Sequence, residues 1–444
     1  MGRCFKIYFL ACITVLLFHV ITLIPNCNVG LIHKRIKGSN TQHTVLQSIR
    51  NKVTQPADLR SCTPRKNIVF LKTHKTGGTT LARILEQYAF DNKLNVVIKE
   101  GKYTNFHFAN VNFNFTSKKN FVPPMGVKRG DYKNYKYNVF ALHALYNRPV
   151  YDSFMENGSI YVTLLRDPVS QFESAFDFFN VGAAAIRDSS LNKSQRLQVF
   201  LKDPLKYWTK LKGSLRLFSR NNQIWDLGVD PAKCPNSFVV DYTIKRLDNE
   251  LDLVMITEYF DESLLLLKKK LCWEFKDILY LPRNVRSSRA TLNVDIRKNI
   301  SKWNWIDTKI YSHFLGRLHK LIKDYGPRFQ DDLSAFRNMT SFVFKTCVAN
   351  EKVQTFRKTK KIAFDMVRGN VTGHGGICRR VGKLDECNFG NGYILLLDLS
   401  YICESVTSSI TDLNPYLKNM MKGNTNRTVR GGGGGGGDDE ELGE

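Results

Sequence analysis

Lys75, Thr76, Thr79 and Thr80 surround the pair Gly77-Gly78 in the run Asn67-Ile-Val-Phe-Leu-Lys-Thr-His-Lys-Thr-Gly-Gly-Thr-Thr80. An ammonium, three hydroxyls and two adjacent glycines in so short a stretch suit the binding of a phosphate. Glycines let the backbone approach an anion, and the first amides and the dipole of a following helix favour negative charge. A nucleoside-triphosphate loop places its lysine after the second glycine, as GxxxxGK[ST]. Here the lysine precedes Gly77-Gly78. That order points to a nucleotide whose 5′-phosphate carries something other than a polyphosphate.

A second set of residues asks for similar chemistry. Arg166-Asp-Pro-Val-Ser-Gln-Phe-Glu-Ser174 follows the apolar run Ser159-Ile-Tyr-Val-Thr-Leu-Leu165. A cation at a strand end and a hydroxyl two turns into a helix form a second phosphate clamp. Two clamps fit a nucleotide bearing phosphates at both its 5′ and 3′ positions.

The elements that must hold these residues are legible around them. Residues 67–71 read as a buried strand. Leu81, Ile84, Leu85 and Tyr88 then recur at helical spacing. Residues 159–165 read as a second strand. Asp167 is a helix cap, Pro168 fits the first helical position, and Val169, Phe172, Phe176 and Phe179 form a buried face. Asn138-Val-Phe-Ala-Leu142 and residues 254–257 are further strand candidates. Residues 296–325 read as one helix through Ile300, Trp303, Ile306, Ile310, Phe314, Leu318 and Ile322. Alternating strands and helices over residues 66–330 predict an α/β layer fold. Residues 331–422 are expected to form a carboxy-terminal subdomain continuing it.

Residues 7–24 are apolar apart from one histidine, and as a helix would span about 27 Å, close to a bilayer core. No small-x-small cleavage site follows. The expectation is an uncleaved anchor after a cytosolic tail (1–6), with a polar basic stem at 25–65. The end (423–444) is a glycine run followed by acidic residues, which lacks the apolar material to fold. The formal charge of +26 implies an anionic partner. With a secretory start, acidic glycans, membrane surfaces or a doubly phosphorylated donor explain it better than nucleic acid. Seven Asn-x-Ser/Thr sequons and eight cysteines beyond the anchor accord with an oxidising lumen. No CxxC pair exists, so no zinc site or other metal is expected.

The two clamps together resemble the sulfotransferase superfamily, and more closely the Golgi galactose-3-O-sulfotransferases. The resemblance is carried by Phe70-Leu-Lys-Thr-His-Lys-Thr-Gly77, Leu164-Leu-Arg-Asp-Pro-Val-Ser-Gln-Phe-Glu-Ser-Ala-Phe176, Asn221-Asn-Gln-Ile-Trp-Asp-Leu-Gly228, Thr257-Glu-Tyr-Phe-Asp-Glu-Ser263, Leu271-Cys-Trp-Glu274 and Leu281-Pro-Arg-Asn-Val-Arg-Ser287. A late block from Gly392 to Cys403 is similar too. Gly78-Thr79 departs from the Ser-Ser or Ser-Thr expected there.

This resemblance implies a P-loop-like three-layer fold around a parallel sheet, with the donor 3′-phosphoadenosine 5′-phosphosulfate (PAPS). Lys75 and the backbone from Thr76 through Gly77, Gly78, Thr79 and Thr80 would grip the 5′-phosphosulfate. Arg166 and Ser174 would grip the 3′-phosphate, and a late basic loop with Arg283, Arg286 and Ser287 would close over the nucleotide. The implied acceptor is the 3-hydroxyl of galactose on a glycolipid or glycoprotein, in a type II Golgi membrane protein. A sugar hydroxyl needs a general base. His143, at a strand end between the clamps, is the first candidate, since an imidazole titrates at about 6.5. His74 suits loop structure or contact with the sulfuryl group, and Glu173 and Glu258 rank below both. Two alternatives stand beside this reading: sulfation of another sugar such as a uronic acid, and a catalytically silent glycan-binding protein.

Overall fold

The computed structural model describes residues 62–98, 121–234, 236–281 and 292–347, three strands between 378 and 397, and the isolated residues Leu417 and Met421. The expected anchor, stem and acidic tail lie outside the described residues. So do most of 331–422 beyond Cys347, and the late loop with Arg283, Arg286 and Ser287. Among the described residues no helix is long and apolar enough to cross a membrane.

Strand β1 (Ile68–Leu71) runs into α1 (Gly78–Asp91); β2 (Val139–Phe140) and α2 (Arg148–Phe154) follow. Then come β3 (Ile160–Leu165) and α3 (Pro168–Phe178), and a run of short helices: α4 (Val181–Ala185), α5 (Lys193–Lys202), α6 (Pro204–Trp208), α7 (Gly213–Phe218) and α8 (Asn222–Asp226). Helix α9 (Ser237–Glu250), β4 (Leu253–Ile256) and α10 (Phe260–Leu271) lead to α11 (Val294–Trp303), α12 (Trp305–Tyr325) and α13 (Phe329–Cys347). Strands β5 (Cys378–Val381), β6 (Leu384–Asn388) and β7 (Ile394–Leu397) form a separate antiparallel sheet.

The central sheet has the order β2-β1-β3-β4 and is parallel throughout. Its strands are short and apolar, and β1 and β4 are buried at every position. Continuous rather than alternating hydrophobicity is what a parallel sheet covered on both faces requires. β1 and β3 are neighbours in register, Ile68 opposite Ile160 and Leu71 opposite Thr163. The two clamp loops therefore leave the sheet side by side, at the strand ends where open α/β sheets bind ligands.

Three expectations need adjusting. The strand expected at 138–142 shrinks to Val139–Phe140, and the Asn138 side chain just before it bonds to Asn67 and to the amide of Asn95. The single helix expected over 296–325 is two helices broken at Asn304. Asn304 caps α11 through its backbone and donates from Nδ2 to Ile300 O, while its Oδ1 accepts from Asn221 N. The break splits one periodic stripe between two cores. Ile300 and Trp303 join a cluster with Phe172, Phe176 and Phe200, whereas Ile306, Ile310, Phe314 and Leu318 join the sheet core. Phe179, expected on the buried face of α3, is only partly buried and stacks on Phe218 at 4.0 Å.

The chain before β1 is fastened to the end of α10. Cys62 and Cys272 form a disulfide, Arg65 N donates to Leu271 O, and Trp273 Nε1 donates to Arg65 O. Trp273 is itself buried against Tyr88 of α1, with ring centroids 3.7 Å apart. Cys347 is disulfide-bonded as well. Helix α13 adds Leu333, Phe336, Met339 and Val343 to the sheet core.

Candidate active site

The loop between β1 and α1 turns through two left-handed residues, Lys75 (φ 61°) and Gly77 (φ 81°). A β-carbon is disfavoured at the second of these by roughly 1–2 kcal/mol, so glycine belongs there. Gly78 is glycine for a different reason. A β-carbon there would meet Lys72 Cγ at 3.0 Å and Phe70 Cζ at 3.2 Å, so a serine would require these side chains to shift by a few tenths of an ångström. Because Gly77 has no side chain, no side-chain cap covers the first amides of α1. Thr80 N is the exception, since it donates to Gly77 O. The amide-lined helix start is therefore directed at whatever lies beyond the turn.

The hydroxyls divide. Thr76 is fully buried, and its Oγ1 lies 2.8 Å from Thr73 Oγ1 and bonds Thr73 O. It braces the loop from inside and can offer a ligand only its backbone, contrary to the expected hydroxyl contact. Thr79 is half-buried and Thr80 buried. Lys75 extends over Phe178 at the end of α3, its ammonium 3.4 Å from the ring centroid. A cation held against an aromatic face is a favourable resting place.

The second clamp is locked to the first. Asp167 caps α3, accepting from Ser170 N and Ser170 Oγ. Arg166 is buried and donates from its Nη1 to Lys75 O. Gln171 Nε2 donates to His74 O and to Asn222 Oδ1. Thr257, just past β4, donates to Thr76 O and Leu165 O. Ser174 is buried on the same helix. Glu258 is turned to the start of α3, where it accepts from Asp167 N and Tyr311 OH, and partial desolvation raises its carboxyl above the ordinary range. Glu173 points elsewhere too, lining a cavity of about 220 Å³ with Asp177, Lys193 and Arg196.

The two histidines come together. His74 and His143 stack with centroids 4.1 Å apart and planes 18° from parallel. His143 Nδ1 lies 3.0 Å from Lys72 O. A carbonyl only accepts, so Nδ1 carries the proton and Nε2 keeps its lone pair. His74 Nδ1 lies 2.9 Å from Asp226 Oδ1, and His74 N donates to Asp226 Oδ2 at 2.7 Å. Both imidazoles are thus tied at Nδ1, and the partner that ties His74 is the carboxylate of Asp226. Phe218 closes the other side of His74, with centroids 4.7 Å apart.

Asp226 is the functional residue that reasoning from motif types missed, although it lies in the quoted block 221–228. That block has no apolar stripe, and yet Asn221, Asn222, Gln223 and Asp226 are all buried. Buried polar residues on a five-residue helix must be satisfied by something outside it. Gln223 exchanges two bonds with the backbone of Arg166. Asp307 accepts from Gln223 N and Ile224 N, and Asn221 Oδ1 accepts from Ile306 N and Asp307 N. Burial pushes the Asp307 carboxyl up to about 7, with the nearby Asp226 adding to the shift against its two backbone bonds. Gly228 completes the seat, because a β-carbon there would collide with Tyr146 O.

The site is that of an α/β protein with an open glycine turn, a lysine and a carboxylate-held histidine at the ends of parallel strands. Comparison with known proteins gives the class its name: the chain belongs to the galactose-3-O-sulfotransferase family, whose model matches residues 8–368. The chain is 29% identical to galactosylceramide sulfotransferase of Homo sapiens over 72% of its own length and 76% of the relative's. It is 31% identical to galactose-3-O-sulfotransferase 2 of Mus musculus, over 60% of this chain and 63% of that one. With galactose-3-O-sulfotransferase 3 of Homo sapiens the identity is 32% over 58% of each chain. Against the latter two, the chain spans less than two thirds of the relative's length.

Proposed function

We propose that this protein transfers the sulfuryl group of PAPS to the 3-hydroxyl of a terminal galactose on a glycolipid or glycoprotein, on a P-loop-like three-layer sulfotransferase fold. The observation that carries the reading is the uncapped start of α1 beside Lys75, joined through one loop to the His74–Asp226 pair. The amides around Gly77 and Gly78 suit the 5′-phosphate. Lys75 can leave Phe178 to neutralise charge on the oxygen bridging phosphorus and sulfur. Arg166 and Ser174 are the candidates for the 3′-phosphate, and Arg286 and Ser287 for closure over the nucleotide.

In the reaction the sulfur–oxygen bond to the donor phosphate breaks as a bond forms to the galactose oxygen. The departing hydroxyl proton goes to an imidazole Nε2, and the charge left on the donor oxygen is met by Lys75 and the helix start. His143 is the base that the family resemblance implies. His74 is the better-equipped proton acceptor, because Asp226 fixes its tautomer and compensates the imidazolium that forms. Two imidazolium rings stacked face to face repel each other, so the pair takes up one proton in turnover and His143 is left to orient the hydroxyl.

The reading extends to a single-pass type II Golgi protein, anchored by residues 7–24 with a lumenal body. The Cys62–Cys272 disulfide supports an oxidising compartment. The test is sulfate transfer from labelled PAPS by the full-length, detergent-solubilised protein. Acceptors should include galactosylceramide, N-acetyllactosamine, a core O-glycan, their 3-deoxygalactose analogues and heparan. Labelling of the galactosides and not of the 3-deoxy analogues is expected. Labelling of heparan alone, or PAPS failing to bind the folded protein, would overturn the reading.

A further inference from the structure

Residues 202–220, which include α6 and α7, carry Lys202, Lys206, Lys210, Lys212, Arg216 and Arg220 against one carboxylate, Asp203. Asp203 is occupied as the cap of α6, accepting from Lys206 N. None of the six cations forms an ion pair within the described structure, whereas Arg148, Arg246, Arg317 and Arg337 are all paired with carboxylates. Four of the six have aromatic company instead. Arg216 lies over the Trp208 ring at 4.0 Å, and Arg220 lies 5.2 Å from Trp208 and 4.4 Å from Trp303. Lys206 and Lys210 lie over Tyr207.

The rings themselves are fixed. Trp208 Nε1 donates to Arg216 O, and Trp303 Nε1 donates to Ser219 O. Two guanidinium groups are therefore held against rigid indoles, with their hydrogen-bonding edges left to a ligand. Arg220 Nε is buried with no hydrogen-bond partner, and burial lowers its pKa with no carboxylate to restore it. A buried donor without an acceptor is costly unless an acceptor arrives.

We propose that Arg216, Arg220 and Trp208 form an oxyanion site outside the donor cradle, taking a sulfate or carboxylate group of an acidic glycan, with the surrounding lysines drawing the chain in. Arginine held on tryptophan suits a planar or tetrahedral oxyanion on a sugar, because the fork offers paired donors in a fixed plane. A lipid surface is the less suitable occupant. The indoles are covered by arginine and have their N–H groups turned inward, and Leu205 is the one large apolar side chain strongly exposed in the segment. Position favours the glycan too. Phe218, at the end of α7, packs on His74, so a chain whose terminal galactose reached the histidine pair would pass near this segment. This last point rests on the proposed sulfation of galactosides; the binding site itself does not.

The experiment measures binding of the full-length protein in neutral detergent to an immobilised sulfated galactose oligosaccharide and to its unsulfated counterpart. Wild type is expected to bind the sulfated chain and not the neutral one. Arg216→Ala/Arg220→Ala should weaken binding about tenfold or more. Arg216→Lys/Arg220→Lys should fall between, keeping the charge but losing the fork. Lys245→Ala, which removes an exposed cation on α9, should bind as wild type does, which separates this site from general surface charge. Should the double alanine variant fail to fold, Lys206→Glu/Lys210→Glu, which alters only exposed side chains, is expected to weaken binding in the same direction. Equal binding by wild type and the folded arginine variants would overturn the proposal, as would equal binding of neutral and sulfated chains. Binding confined to vesicles of anionic phospholipid would overturn it in favour of a lipid surface. None of these outcomes depends on turnover, so failure of the catalytic reading would show separately.

Discussion

Two strand–turn–helix units stand side by side in the sheet, and they finish their helix starts in opposite ways. After β1 the turn is made of glycine, α1 has no side-chain cap, and a lysine stands beside the opening. After β3 the turn is Asp167-Pro168, and Asp167 closes α3 on itself. The first unit leaves amides for an external anion, whereas the second satisfies its own. The second also supplies the bonds that hold the first, from Arg166 to Lys75 O and from Gln171 to His74 O. The same strand–turn–helix plan thus serves one helix start that is left open to an anion and one that is closed and braces its neighbour, and the difference lies in the residue at the helix cap.

The sharpest test of that division is His74→Ala, which removes the proton acceptor carried by the gripping loop. Turnover should fall by about 10²–10⁴-fold, the usual range for a general base, while binding of adenosine 3′,5′-bisphosphate persists. His143→Ala should cost less. An equal or larger loss there, with His74→Ala mild, would return the base to His143. Lys75→Ala comes next, with a loss of about 10²–10³-fold in kcat, as for the removal of one stabiliser of developing charge.

Smaller effects separate the caps. Gly77→Ala forces a β-carbon into left-handed backbone and should cost roughly 1–2 kcal/mol of stability, together with weaker donor binding in calorimetry. Asp167→Ala should cost about 1 kcal/mol, the worth of an N-cap, and leave donor affinity nearly unchanged. Donor binding lost equally by both variants would erase the distinction between the two units.

The smallest expected effect lies behind the histidine, in the seat of α8. The folded Asp307 carboxyl sits at about 7, well above its unfolded value near 4. The folded state therefore binds this proton more tightly than the unfolded state does. The stability associated with that proton is fully present below about pH 4 and is lost as pH rises through about 7. Asp307→Asn should remove this contribution to the pH dependence of denaturant unfolding. Relative to wild type it should gain stability between pH 4 and 7, from a lower starting point because the amide NH2 replaces one of the two oxygens that accept from Gln223 N and Ile224 N. Parallel pH profiles for the two proteins would contradict the assignment.

Much of the scaffold was legible because it is local. The strands at 68–71 and 160–165, the helix after Gly77 and the Asp167-Pro168 start all follow from short-range periodicity and capping chemistry. The break at Asn304 was not, because the apolar stripe runs straight through it. What ends α11 is a bond to Asn221, 83 residues away. The site divides the same way. Lys75 and the glycines announce themselves by type and spacing, and His143 by its place at a strand end. The stacking of His143 on His74 and the carboxylate of Asp226 depend on elements brought together only in the folded sheet. Phe178 and Phe218 carry no motif of their own, and the fold sets them against Lys75 and His74.

The measurement that bears most directly on the account is the pH dependence of kcat for sulfate transfer from PAPS to a galactoside, in wild type and Asp226→Asn. If His74 is the base and Asp226 fixes its tautomer and its charge, wild type should lose activity below the imidazole range. Asp226→Asn should then be slower across the whole profile by about 10²-fold or more, with the acidic limb moved and donor binding intact. An Asp226→Asn protein with the wild-type rate and the wild-type acidic limb would contradict the account, and would leave His143 as the group that takes the proton.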